Sequence, residues 1–199
     1  MWKAQRKAGK RAMSALEFRT KHPTREECMY FLRVYNTPPH VVRHCIAVTD
    51  AALKIANALN QHGYKLDLEL IQGAGLLHDI SRVKEKHWEV GARLVRNWGY
   101  VEEADIIQVH MKYSRYSPVE RLNETDMVVI GDRIVKEDQY VGVEARMQYI
   151  IEKAKAQGHD DAVIAILKKK KDMKELMNQI EEIIGVSIDD LMKQETPEV

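Results

Sequence analysis

The stretch PPHVVRHCIAVTDAALKIANALNQHG, residues 38–63, decides the fold. Pro38 and Pro39 donate no backbone N–H, and their fixed φ suits the first positions of a helix. Behind them Val41, Cys45, Val48, Ala52, Ile55 and Leu59 recur at steps of four and three. That spacing lays one apolar stripe along a long helix, and Gly63 is placed to end it. A long helix with one apolar stripe must bury it against other helices.

The flanking sequence supplies them. Thr24 and Glu27 form the two halves of a capping box for a helix running to about Tyr35. Asp67 can cap a third helix through Leu70, Ile71, Ala74 and Leu77, ending at His78-Asp79. Further helices are predicted over 87–98 (closed by Gly99), 102–112, 124–138, 143–157, 160–184 and 188–193. The polar run 113–123 is the longest loop. No alternating strand pattern and no internal repeat is visible. The predicted fold is all-α, a single-domain helical bundle. Its main body spans 24–160, behind a basic leader at 1–23, with a helical extension at 161–199 packed on it.

Bulk properties narrow the function classes. Of 199 residues, 45% are hydrophobic and 31% charged, and 31 basic against 30 acidic side chains leave a formal charge of +1. Overall charge therefore gives no support to binding of nucleic acid or anionic membrane. No apolar run approaches the roughly 18 residues of a membrane span. Cys28 and Cys45 read as buried, reduced thiols, and the expected location is the cytoplasm. The leader carries Lys3, Arg6, Lys7, Lys10 and Arg11, read as a tail without assigned chemistry. The stripe Val163, Ile166, Met173, Met177, Ile180 and Ile184 suits core packing or a homodimer seam, and Lys168 to Lys171 a solvated face.

The chemistry lies where histidines and acids fall on apolar stripes. His44 is three residues from Val41 and four from Val48; His78 is four from Ala74; His110 is four from Ile106. Asp132 is four from Val128, and His87 precedes Val90 by three. Each therefore points toward the buried side of its helix. An unpaired buried polar group costs roughly 2–7 kcal/mol, against a net stability of about 5–15 kcal/mol for a whole domain. One such histidine is ordinarily a hydrogen-bonded core residue. Several on separate helices need a common partner, and imidazoles with carboxylates suit a divalent transition metal.

The order His44, then His78-Asp79 within Leu-Leu-His-Asp-Ile, then Asp132 within Gly-Asp-Arg-Ile-Val resembles the HD superfamily of metal-dependent phosphohydrolases. The resemblance covers about residues 24–160. In texture the chain also resembles HD domains attached to nucleotidyltransferases of the molybdenum-cofactor type. The resemblance implies that His44, His78, Asp79 and Asp132 hold a first metal, with Asp79 able to bridge to a second held by His87 and His110. The cofactor would be one or two ions of Fe, Mn, Co, Ni or Zn. Many relatives read His-Asp-Ile-Gly-Lys where this chain reads His-Asp-Ile-Ser-Arg, so Arg82 would take the phosphate, bidentately. No Gly-Tyr-Pro follows His110, which disfavours the cyclic-dinucleotide branch. Lys136, four residues beyond Asp132, is expected on the same helix face as a second cation for the phosphoryl oxygens. The implied activity is hydrolysis of a phosphate ester or pyrophosphate, with a small phosphorylated substrate such as a nucleotide, by metal-activated water. The alternatives are a binuclear iron oxygenase on the same scaffold and a noncatalytic module that binds nucleotide or metal.

Overall fold

The computed structural model describes residues 20–113 and 115–194, so the predicted basic leader falls almost wholly outside the described residues. Helices α1 (Arg25–Val34), α2 (Pro39–Gln61), α3 (Leu68–Leu77), α4 (His87–Asn97) and α5 (Val101–Val109) precede a 3-10 turn at Val119–Arg121. Helix α6 (Glu124–Ile134) leads into strands β1 (Val135–Lys136) and β2 (Gln139–Tyr140), then α7 (Gly142–Ala156), α8 (Asp160–Ile184) and α9 (Ile188–Met192).

The ends form where local chemistry places them. Thr24 accepts from the Glu27 backbone N–H while the Glu27 carboxylate accepts from Thr24, which closes the capping box on α1. Asp67 caps α3 through Leu70, and Asn123 caps α6 with Asp126 as its reciprocal partner. Gly63 takes φ +96° just past α2, a conformation that costs a residue with a Cβ.

Two boundaries differ from the sequence expectation. Helix α5 stops at Val109, so His110 lies just beyond the helix rather than inside it. Helix α6 stops at Ile134, four residues early, and the chain turns through a two-stranded antiparallel hairpin pairing Val135 with Tyr140 and Lys136 with Gln139. Two-residue strands are too short to show any alternation in sequence. The turn is held at Glu137, which adopts φ +56°.

The stripe of α2 packs on α3 and α6, with Val48, Ile55, Leu59, Ile71, Met127 and Ile130 among the residues excluded from water. Met173, Met177, Ile180 and Ile184 of α8 and Leu191 of α9 join that same cluster. A second cluster gathers Phe31, Leu32, Leu76, Leu77, Val95 and Ile107 around Trp98, whose ring stacks on Phe31 at 4.0 Å. Helix α3 lies between the two and is buried from Ile71 through Leu77. No helix among the described residues is long and apolar enough to cross a membrane.

Beside α3 a buried His–Glu contact fastens the segment ahead of α1. His22 Nδ1 lies 2.6 Å from Glu103 Oε1 with both side chains 1% exposed, and His22 Nε2 lies 3.2 Å from Asp67. Burial raises the Glu103 carboxyl above its ordinary range, with His22 opposing. Glu103→Gln should keep the shape and lose the charge, lowering stability by about 1 kcal/mol in urea denaturation. An unchanged midpoint would mean that the pair contributes nothing net.

Candidate metal centre

Because α3 is buried on every face from Ile71 through Leu77, its C-terminal end delivers His78 and Asp79 to the interior rather than to solvent. His78 directly follows the last helical residue, and its Nδ1 lies 2.7 Å from the Gly75 carbonyl. His110 repeats this arrangement after α5, with Nδ1 2.7 Å from the Ile107 carbonyl. The hairpin does the same for His44 by turning the Glu137 carbonyl to within 2.6 Å of its Nδ1. A carbonyl only accepts, so each Nδ1 must carry a proton. Each Nε2 is then available to bind, and this is how proteins orient histidines around metals.

The rings form a chain. Centroids are 5.5 Å apart from His44 to His78, 5.2 Å from His78 to His110 and 5.5 Å from His110 to His87. Asp79 sits among them. Its Oδ1 is 3.1 Å from His87 Nε2 and 3.7 Å from His110 Nε2, and its Oδ2 is 3.7 Å from His78 Nε2. Two donor sets result, His44 with His78 and Asp79, and Asp79 with His87 and His110, each gathered within 4.8 Å. Asp132 adjoins the first set through His44, 3.2 Å away, and Arg146 approaches the same Asp132 oxygen at 3.8 Å.

Charge in the site follows from burial and proximity. Burial works against the Asp79 carboxylate, but His78, His110, His87 and Arg82 prevail and hold it well below the ordinary carboxyl range. Asp132 is likewise held low, against burial, chiefly by His44 and His78. Burial drives His78 down to about 4, so this ring is neutral at pH 7. Burial also works on His44, where Asp132 outweighs it and raises the imidazole above its usual value. The site therefore offers two carboxylates and at least one neutral imidazole near neutral pH, the protonation states that a divalent ion requires.

Unmatched atoms test that fit. Among the described residues, five buried side-chain polar atoms lack a hydrogen-bond partner, and His78 Nε2, Asp79 Oδ1 and His110 Nε2 are three of them. Native interiors seldom leave such atoms alone, and three at one point call for a shared partner. Imidazole and carboxylate donors accommodate Fe, Mn, Co, Ni or Zn.

Arg82 lies at the mouth of the cluster, with Nε 3.5 Å from Asp79 and Nη1 3.0 Å from His87 Nε2. Lys136 does not share a helix face with Asp132, because α6 has already ended. It belongs to β1, with its ammonium 4.5 Å over the Tyr149 ring. The cluster opens into a cavity of about 770 Å³ whose wall includes Arg133, Arg146, Lys153 and Lys169. Sequence reasoning missed these four, and it also missed the Glu137 carbonyl. Arg133 stands next to Asp132, and that adjacency was the one available signal.

The comparisons with known proteins fall on the same segment. Residues 41–138 match the HD domain. That span holds His44, His78, Asp79, His87, His110 and Asp132, while α7 and α8 lie beyond it. HD domains bind divalent metals, and as a family they are generally metal-dependent hydrolases. The chain is 41% identical over 71 residues to an uncharacterized protein of Methanocaldococcus jannaschii. That match takes in 34% of this chain and 42% of the relative, so the chain spans less than half the relative's length. Neither match names a nucleotidyltransferase. No solved structure matches the chain.

Proposed function

We propose that the protein hydrolyses a phosphate ester or pyrophosphate of a small phosphorylated substrate, a nucleotide being the leading class, at a site of one or two divalent metals. The observation that carries this reading is the gathering of three buried donor atoms without a hydrogen-bond partner, of His78, Asp79 and His110, beside a cation-lined cavity that Asp79 and His110 help to line. His44, His78 and Asp79 would hold one ion, with Asp132 beside them, and Asp79, His87 and His110 would hold the other. A bound divalent ion supplies charge neutralisation and a water acidic enough to ionise near pH 7.

The chain's own groups do the rest. Carbonyls of Gly75, Ile107 and Glu137 hold three imidazoles through Nδ1, which turns each Nε2 toward the site. Arg82 reaches past Asp79 toward the cavity with a planar fork suited to two phosphoryl oxygens. Arg146 helps to hold the Asp132 carboxylate through the same oxygen that His44 approaches. Cys45 is fully buried, with its thiol pushed well above its usual range chiefly by burial, so it supplies no nucleophile at neutral pH.

Elemental analysis of protein purified without tag or chelator, followed by a phosphate-release panel, tests the reading. One to two equivalents of a transition metal and metal-dependent release from a nucleotide support it. No metal, and no uptake on adding any of the five ions, overturns it. Turnover without oxygen in Mn or Co rules out the oxygenase, whereas tight nucleotide binding without turnover favours the regulatory module. In the same assay Arg82→Ala should retain the metal and raise KM roughly 10-fold or more, as loss of a charge-assisted hydrogen bond demands. Unchanged kinetics would remove Arg82 from phosphate binding.

A further inference from the structure

Six arginines and lysines line the cavity against four acids, Asp79, Asp132, Glu137 and Asp138. Arg43 pairs with Asp138 at 2.9 Å, Arg82 lies against Asp79, and Arg146 lies against Asp132. On α8 the neighbours Lys170 and Lys174 both turn to Glu144 of α7. Among the described residues this leaves Arg133, Lys153 and Lys169 on the cavity wall without an acidic partner in contact. They come from three different helices, α6, α7 and α8.

Like charges gathered on one wall repel, and the repulsion grows as water is excluded. Burial and the charge of Arg133 both lower the proton affinity of the Lys169 amine. The lysine run 168–171, read from sequence as a solvated face, thus splits by position: Lys169 faces the cavity while Lys170 engages Glu144. In the proposed function Arg82, beside the His–Asp cluster, takes one phosphoryl group. A second set of cations, unneutralised and sharing the same space of about 770 Å³, is matched to a second anion. That volume lies within the range of pockets for whole small ligands, roughly 300–1,000 Å³.

We propose that Arg133, Lys153 and Lys169 form a second phosphate subsite, so that the preferred ligand carries a phosphate group in addition to the one placed at the His–Asp cluster. The subsite itself stands on the cavity wall. The placing of the first phosphate at the His–Asp cluster, and its hydrolysis, rest on the proposed function. Two of the three cations, Lys153 and Lys169, lie outside the span that matches the HD domain, so this is a preference written by the helices that follow it.

Calorimetric titration of the protein as purified with inorganic phosphate and then pyrophosphate, at one fixed ionic strength, provides the test. Pyrophosphate should bind at least about 10-fold more tightly, one charge-assisted contact being worth that factor or more. The Lys153→Ala/Lys169→Ala variant should lose that advantage while its affinity for phosphate stays within about 2-fold, and Lys169→Arg with Lys153 intact should retain it. Equal weakening of both ligands, or no change in either, overturns the subsite. A nucleoside diphosphate and a nucleoside 3′,5′-bisphosphate then tell whether the second phosphate sits in the same chain as the first or elsewhere on the ligand. A wild type that turns nothing over yet shows the lysine-dependent pyrophosphate advantage retains the subsite and loses the hydrolase. One that hydrolyses monophosphates with the lysines irrelevant does the opposite.

Discussion

Asp79→Ala is expected to abolish metal binding and phosphate release together, with metal affinity falling more than about 100-fold. Removing an outer partner of a metal ligand already costs roughly 10–100-fold, and Asp79 stands closer in than that. It is the one residue common to both donor sets. Without it the second set keeps two imidazoles, fewer than the three protein ligands of catalytic zinc sites, and the first keeps His44 and His78 with only Asp132 beside them. It also supplies the negative charge nearest His78, His87 and His110. Helical content should persist, because the substitution removes a carboxylate and its contacts with His87, His78 and Arg82 rather than apolar core volume. Elemental analysis beside far-UV circular dichroism reads both effects. A folded variant with full metal content would take Asp79 out of the site. Asp79→Asn separates charge from shape and should bind metal little better than the alanine form.

Gly131→Ala should lower the melting temperature by about 4–8 °C. Alanine in a helix gains up to about 1 kcal/mol over glycine, which taken alone predicts a more stable protein. Position 131 reverses the sign. A Cβ there would lie 2.6 Å from the Val48 carbonyl oxygen and 3.3 Å from Ala52 Cβ, so α6 must back away from α2. Backbone cannot yield as a flexible side chain does. Overpacking costs about 1–3 kcal/mol and occasionally more, and a net loss near 2 kcal/mol corresponds to that shift for a chain of this length. Asp132 follows Gly131, and Val48 lies one turn beyond His44, so the separation opens where those two side chains meet. Metal affinity should therefore fall along with stability in calorimetry. A higher melting temperature would show that the helices can part without cost.

What could be read from the sequence follows from the physics of each residue. His44 and His78 were legible because a helix places every third or fourth residue on one face, and a polar group on an apolar face stands out. His110 was found by the same rule although its helix ends one residue earlier. Lys136 was misplaced because Arg133-Ile134-Val135-Lys136 contains no glycine or proline to mark the end of α6. Arg146, Lys153 and Lys169 were not legible. On their own helices they occupy ordinary polar positions, and only the folding of α7 and α8 against the site makes them part of it. The Glu137 carbonyl left no mark at all, since a backbone oxygen has no residue type.

The carbonyl anchors on His44, His78 and His110 have a thermodynamic consequence. An imidazole free to rotate must be ordered when an ion arrives, and that loss of freedom subtracts from affinity. Here the ordering happens during folding, with the backbone as the restraint. Occupancy and folding are then linked: an ion bound only by the folded chain adds RT ln(1 + [L]/Kd) to its stability, about 4 kcal/mol at a thousandfold excess over Kd. Protein starved of a metal that fits these donors should therefore be less stable, and less abundant, than protein supplied with it.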